Sequence, residues 1–71
     1  MTKKQYIGIA AIIRKHYDYA KKEYEETRSA ISESEMILLG DITADLSEYF
    51  KRQSVKFNEK KFKNAAVDWD N

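Results

Sequence analysis

Seventy-one residues pass without a proline, and glycine occurs only at positions 8 and 40. Hairpins and β-sandwiches need turn signals at spacings of about 8–12 residues, and punctuation this sparse cannot supply them. Helix is the reading that remains. The apolar spacing agrees, because Ile9, Ile13, Tyr17 (or His16), Ala20, Tyr24, Thr27 and Ile31 recur at steps of three and four, which lines one face of a helix. A first helix is expected from about Lys3 to about Arg28. Thr2 and Gln5 have the spacing of a capping box at its start.

Ser32 and Glu35 repeat that spacing just before Met36, Ile37, Leu38 and Leu39, so a second helix is expected to begin near Glu33 with Ser32 as its cap. Its buried stripe should be Leu39, Ile42, Leu46, Tyr49 and Phe50, with Asp41, Glu48 and Arg52 in water. It should end around Arg52 or Gln53. After a short connection through Val55, Asn58 is placed to cap a third, short helix carrying Phe62, Ala65 and Ala66. Phe57 and Phe62 stand at the N′ and N4 positions of a hydrophobic staple, which would pin that helix across the open end of the hairpin. The expected fold class is all-α: an antiparallel hairpin of two long helices plus a short C-terminal helix, one small domain over residues 1–71. Residues 67–71 are expected to fray, although Trp69 is costly to expose and is a candidate to dock on the core. Gly8 and Gly40 each cost a helix about 0.5–1 kcal/mol relative to alanine. They read either as tolerated ballast or as points where another backbone comes close.

A chain this short buries only ~60% of the surface it exposes when unfolded, so its core needs a supplement. Disulfides and thiolate metal sites are ruled out because there is no cysteine, and the single histidine, His16, cannot make a metal site alone. No cofactor and no metal are expected. A partner, or a second copy forming a homodimer, is the remaining supplement. The uncharged runs at 5–13 and 36–40 fall far short of the ~20 apolar residues that span a bilayer. Arg14 interrupts the first run, and no small-residue cleavage site follows it. A cytoplasmic chain without membrane attachment is expected.

The net charge of +1 hides three blocks. Residues 1–22 carry six cations against Asp18, residues 23–48 carry eight acids against Arg28, and residues 49–66 carry six cations against Glu59. A hairpin would gather the acids near its turn and the cations near its open end. The macrodipole does not explain this, since it favours acids at a helix start and bases at its end, whereas the first helix begins with lysines and ends with Glu23, Glu25 and Glu26.

Two binding readings follow. Lys3, Lys4, Lys51, Arg52, Lys56, Lys60, Lys61 and Lys63 could neutralise phosphates, with interleaved tyrosine and phenylalanine stacking on unpaired bases. Against this stand the acidic block and a near-neutral total. Alternatively, Tyr6, Ile12 and Tyr19 could form an interface outside the main stripe, since Ile7, Ile12, His16 and Tyr19 trace a second line on the first helix. Glu23, Glu25 and Glu26 belong to an acidic segment that could imitate a phosphate backbone toward a basic protein groove. Ordinary solvation of charged helix faces accounts for much of the same pattern. Catalysis finds little support, because one histidine and no glycine-rich loop leave few ways to converge a nucleophile, base and oxyanion donors. No catalytic residue is assigned.

The opening "MTKKQYIGIAAIIRK" joined to the closing "ITADLSEYFKRQSVKFNEKKFKNAA" resembles a family of small, uncharacterised phage and prophage helical proteins. These similarly begin Met-Thr-Lys-Lys, then an aromatic and an Ile-Ala pair, and end in an amphipathic helix, a turn and a short helix with Phe-x-x-Ala. Phe57, Asn58, Phe62 and Ala65 occupy the corresponding positions here. Ser54-Val55 stands where that family usually has Asn-Pro, and the family's usual cysteine near the end is missing. The resemblance covers both ends but not the middle, and it carries over no functional residue. It implies a non-enzymatic accessory protein that binds a host enzyme, a defence complex such as a CRISPR effector, or nucleic acid.

Overall fold

The computed structural model describes residues 2–69. Three helices follow one another, α1 (Lys3–Thr27), α2 (Ala30–Gln53) and α3 (Glu59–Ala66). The fold is all-α, an antiparallel hairpin of two long helices with a short third. At the start of α1 the capping box is complete: the Thr2 side chain accepts from the Gln5 amide at 3.3 Å, and the Gln5 side chain accepts from the Thr2 amide at 2.9 Å. Two orphan donors are satisfied at once.

The turn is tighter than its sequence suggests. Arg28 takes the left-handed conformation, φ 56°, and its amide donates to the Tyr24 carbonyl at 2.6 Å. Glycine is the default at this position, so arginine holds it against a steric cost. Its guanidinium lies 5.2 Å from the centroid of the Tyr24 ring, a cation–π contact that opposes the cost. Ser29 then caps α2, its hydroxyl accepting from Ile31 and Ser32. The expected cap at Ser32 is therefore corrected to Ser29, three residues earlier. Ser32 itself is buried within the first turn of α2. The first serine after the left-handed residue won, because the chain re-enters helix immediately.

Asn58 caps α3 as expected, accepting from the Lys61 amide at 3.0 Å. Phe57 and Phe62 are both buried, with ring centroids 5.5 Å apart. They form the staple, and around it Tyr6, Phe50, Phe57 and Phe62 make an aromatic cluster with centroid separations of 4.6–5.5 Å. Ala66 and Val67 close the cluster from the far end of α3. Val67 is 3% exposed and Asp68 is held by ion pairs, so the fraying expected from position 67 does not begin there. Asp70 and Asn71 lie outside the described residues.

Two further expectations are corrected. Phe50 is buried as expected, but Ile42 and Tyr49, assigned to the same stripe of α2, are 41% and 55% exposed, while Ser32, Thr43 and Ser47 are buried in their place. Met36, Leu39 and Leu46 are half-buried against the core. Helix α2 is thus rotated toward its small-residue side. Gly8 and Gly40 do not mark a close approach within the fold, since a Cβ on either would meet no atom within 4 Å. They are open positions on helices, which removes the reading of a close contact within the hairpin.

Candidate interaction surfaces

The long-range electrostatics centre on Arg14, which the sequence shows only as one cation among thirteen. Its guanidinium donates to the carbonyls of Ala65 (3.1 Å) and Asn64 (2.8 Å) and to the carboxylates of Asp68 (3.0 Å) and Asp18 (3.3 Å). Those carbonyls belong to the last turn of α3, so a cation from α1 caps that helix and meets the negative end of its dipole. Lys21 joins through the second oxygen of Asp68. Hydrogen bonds from Lys21 and Arg14 hold the Asp68 carboxyl below its ordinary pKa. Burial works against the Arg14 charge, but the bonds to Asp68 and Asp18 outweigh it and raise its pKa. No local pattern announces this clamp, because Arg14 lies 50–54 residues from Asn64, Ala65 and Asp68, and Lys21 lies 47 from Asp68.

Around the open end, the basic residues do not converge on one point. Lys3, Lys56 and Lys61 rim an open groove of about 700 Å³, floored by Tyr6, Ile7, Ala10, Phe57, Phe62 and Ala65. Arg52 is paired with Glu48 at 2.8 Å, Lys51 donates to the Val55 carbonyl at 3.2 Å, and Lys63 lies 4.5 Å from the centroid of the Trp69 ring. Lys4 and Lys60 are exposed on the surface of α1 and α3. Trp69, 41% exposed, rests against Lys63. The aromatic rings of the floor pack against one another at tilted angles of 56–58°, and Phe57 and Phe62 are only 7% and 5% exposed.

The second line expected on α1 divides. Tyr6 packs on Phe50 and Phe57, at 4.9 and 4.6 Å between centroids, and so belongs with the core. Ile7 looks into the groove beside α3. Ile12 and Tyr19 remain exposed, at 64% and 71%, and Glu23, Glu25 and Glu26 are exposed near the turn.

A further row of exposed apolar residues lies outside the interface candidates of the sequence. Ile31, Leu38, Ile42 and Tyr49 are 73%, 58%, 41% and 55% exposed along α2. At ~100° per residue they fall within ~40° of one another, roughly 110° around the helix from the buried face. The signal that could have found them is their spacing of seven, four and seven. That spacing merges with the core pattern, because Ile42 and Tyr49 also sit at the edge of the stripe containing Leu39 and Leu46. Among the described residues no group of three or more His, Asp or Glu side chains gathers to hold a metal ion, and no helix is long and apolar enough to cross a membrane. No protein-family model, curated protein or solved structure matches the chain.

Proposed function

We propose that the chain is a non-enzymatic binding protein that acts by docking on another protein. The observation that carries this reading is the row Ile31, Leu38, Ile42 and Tyr49, left in water by a fold that buries Ser32, Thr43 and Ser47 instead. Large side chains in water beside small ones in the core is the reverse of what an isolated chain gains from, and an aligned exposed apolar row is a mark of an interface. Under the phage-accessory resemblance the partner would be a host or defence protein, with the chain an inhibitor or adaptor of the anti-CRISPR kind. The test is capture from cell extract on immobilised protein, with and without nuclease, for the native chain and for Leu38→Glu with Ile42→Glu. A protein retained after nuclease and lost with the double variant is the expected result. Loss of everything on nuclease treatment overturns it.

A second reading has its own observation, the lysine rim of the groove at the open end. Lys3, Lys56 and Lys61 surround an apolar floor, an arrangement that suits a phosphate backbone lying along the rim. Single-stranded oligonucleotide binding that falls steeply with salt and disappears in Lys56→Glu with Lys61→Glu is the outcome this reading requires.

A further inference from the structure

Building on the reading of the chain as a protein-binding module, we infer that the exposed stripe of α2 receives a basic amphipathic helix from a partner of different sequence. The stripe is longer than its four apolar members. Ile31, Glu35, Leu38, Ile42, Asp45 and Tyr49 succeed one another at steps of four, three, four, three and four, the spacing of a heptad seam, and all six are exposed. At 1.5 Å per residue the seam runs ~27 Å. A seam of this period is complementary to another helix, whose side chains insert between its own. Near its start Ile31 and Leu38 already flank a shallow depression with Ala30, Ser34 and Glu35.

Charge decides which helix. Between Arg28 and Lys51 the chain has five acids, Glu33, Glu35, Asp41, Asp45 and Glu48, and no base. Two of them, Glu35 and Asp45, stand in the seam itself. A second copy fits poorly at these layers. Antiparallel pairing with Leu38 opposite Ile42 also puts Ile31 opposite Tyr49, but it sets Glu35 opposite Asp45. Parallel pairing sets each acid against itself. Like charges facing each other across a packed seam oppose association and select against the wrong partner. A partner with lysine or arginine at those two layers converts both into ion pairs.

Surface area bears on whether the flank is covered, not on what covers it. A folded monomer of 8.4 kDa is expected to expose about 4,600 Å², and this chain exposes 5301 Å². The excess of roughly 700 Å² is close to the ~800 Å² that each partner contributes to a standard interface. Part of it comes from the molecule's length, 40 × 18 × 17 Å, and the uncovered flank of α2 runs along that length.

Two synthetic peptides of about 21 residues, three heptads, test the inference. Both carry leucine at the seam positions; one has lysine at the polar seam and flanking positions, the other glutamate. Binding to the intact chain is followed by fluorescence anisotropy, and each variant is checked for native helicity by circular dichroism. The lysine peptide is expected to bind at least about tenfold more tightly than the glutamate peptide, and Leu38→Ser with Ile42→Ser to weaken it by a similar factor. Glu35→Lys with Asp45→Lys should invert the preference. Equal binding of both peptides, or of neither, overturns the inference. So does a native chain that sediments as a dimer and dissociates in Leu38→Ser with Ile42→Ser, because the occupant is then a second copy. If both peptides fail while an extract protein is still captured through α2, the partner chemistry falls and the binding reading stands. If capture fails too, both fall.

Discussion

The open end and the turn half of the hairpin are held together by different means. At the open end, where three helices meet, Tyr6, Phe50, Phe57 and Phe62 interlock, and Arg14 ties the end of α3 to α1. Toward the turn only two helices are present, and beyond Tyr17 the buried residues there are small: Ala20 and Ser32. Small residues let helices come close, but they remove little apolar area from water, and transfer free energy scales with that area. The turn half is therefore a weak core with large apolar residues to spare on its outer flank. Stability concentrates at one end, and the exposed apolar row of α2 runs along the side that contributes least to it.

The sharpest way to break that contrast is Phe50→Ala. Phe50 is 3% exposed and contacts Tyr6, Tyr49, Phe57 and Phe62. Truncation should cost about 3–5 kcal/mol in denaturant unfolding. A loss under about 1 kcal/mol would show that the aromatic end is not the principal core.

Arg14→Ala should follow, at about 1–3 kcal/mol, because the bonds it makes to Asp68 and the last carbonyls of α3 are charge-assisted. The same clamp predicts acid sensitivity. The folded-state pKa of Asp68 is depressed, so its contribution is fully present above the ordinary carboxylate value. It is lost as pH falls below that value and through the folded pKa. Asp68→Asn should flatten the fall in stability below about pH 4, and an unchanged acid limb would remove the clamp from the account.

Gly8→Ala should stabilise the chain by about 0.5–1 kcal/mol, since a methyl there meets open space and helix propensity rises. A destabilisation would mean that something packs against that face. The smallest effect is expected on the outer flank, where Leu38→Ser should change stability by no more than about 0.5 kcal/mol while weakening partner binding. A large loss of stability would place Leu38 in the core and turn the contrast around.

Local features were legible because they are satisfied locally. The capping box at Thr2, the cap at Asn58 and the staple of Phe57 and Phe62 each join residues within five positions of one another. The pairing of Arg14 with Asp68 crosses 54 residues and has no such signature. Ser47 shows the same limit in another way: its hydroxyl is buried without a hydrogen-bond partner among the described residues, which no propensity argument would assign to a core position.

Sparse glycine, absent proline and steps of three and four determined that this chain makes two long helices and a short one, because helix formation depends on backbone freedom and on neighbours three and four residues away. Which side of α2 would face α1 was decided only in the folded molecule. Its apolar arc is wide enough to offer two faces, one through Leu39, Leu46 and Phe50 and the other through Ile31, Leu38, Ile42 and Tyr49. Both satisfy the same periodicity, so the pattern cannot choose between them. The choice fell to the aromatic cluster, in which Phe50 must meet Tyr6 from α1 and Phe62 from α3 at once. That requirement turns Thr43 and Ser47 inward with Phe50 and leaves the second face in water.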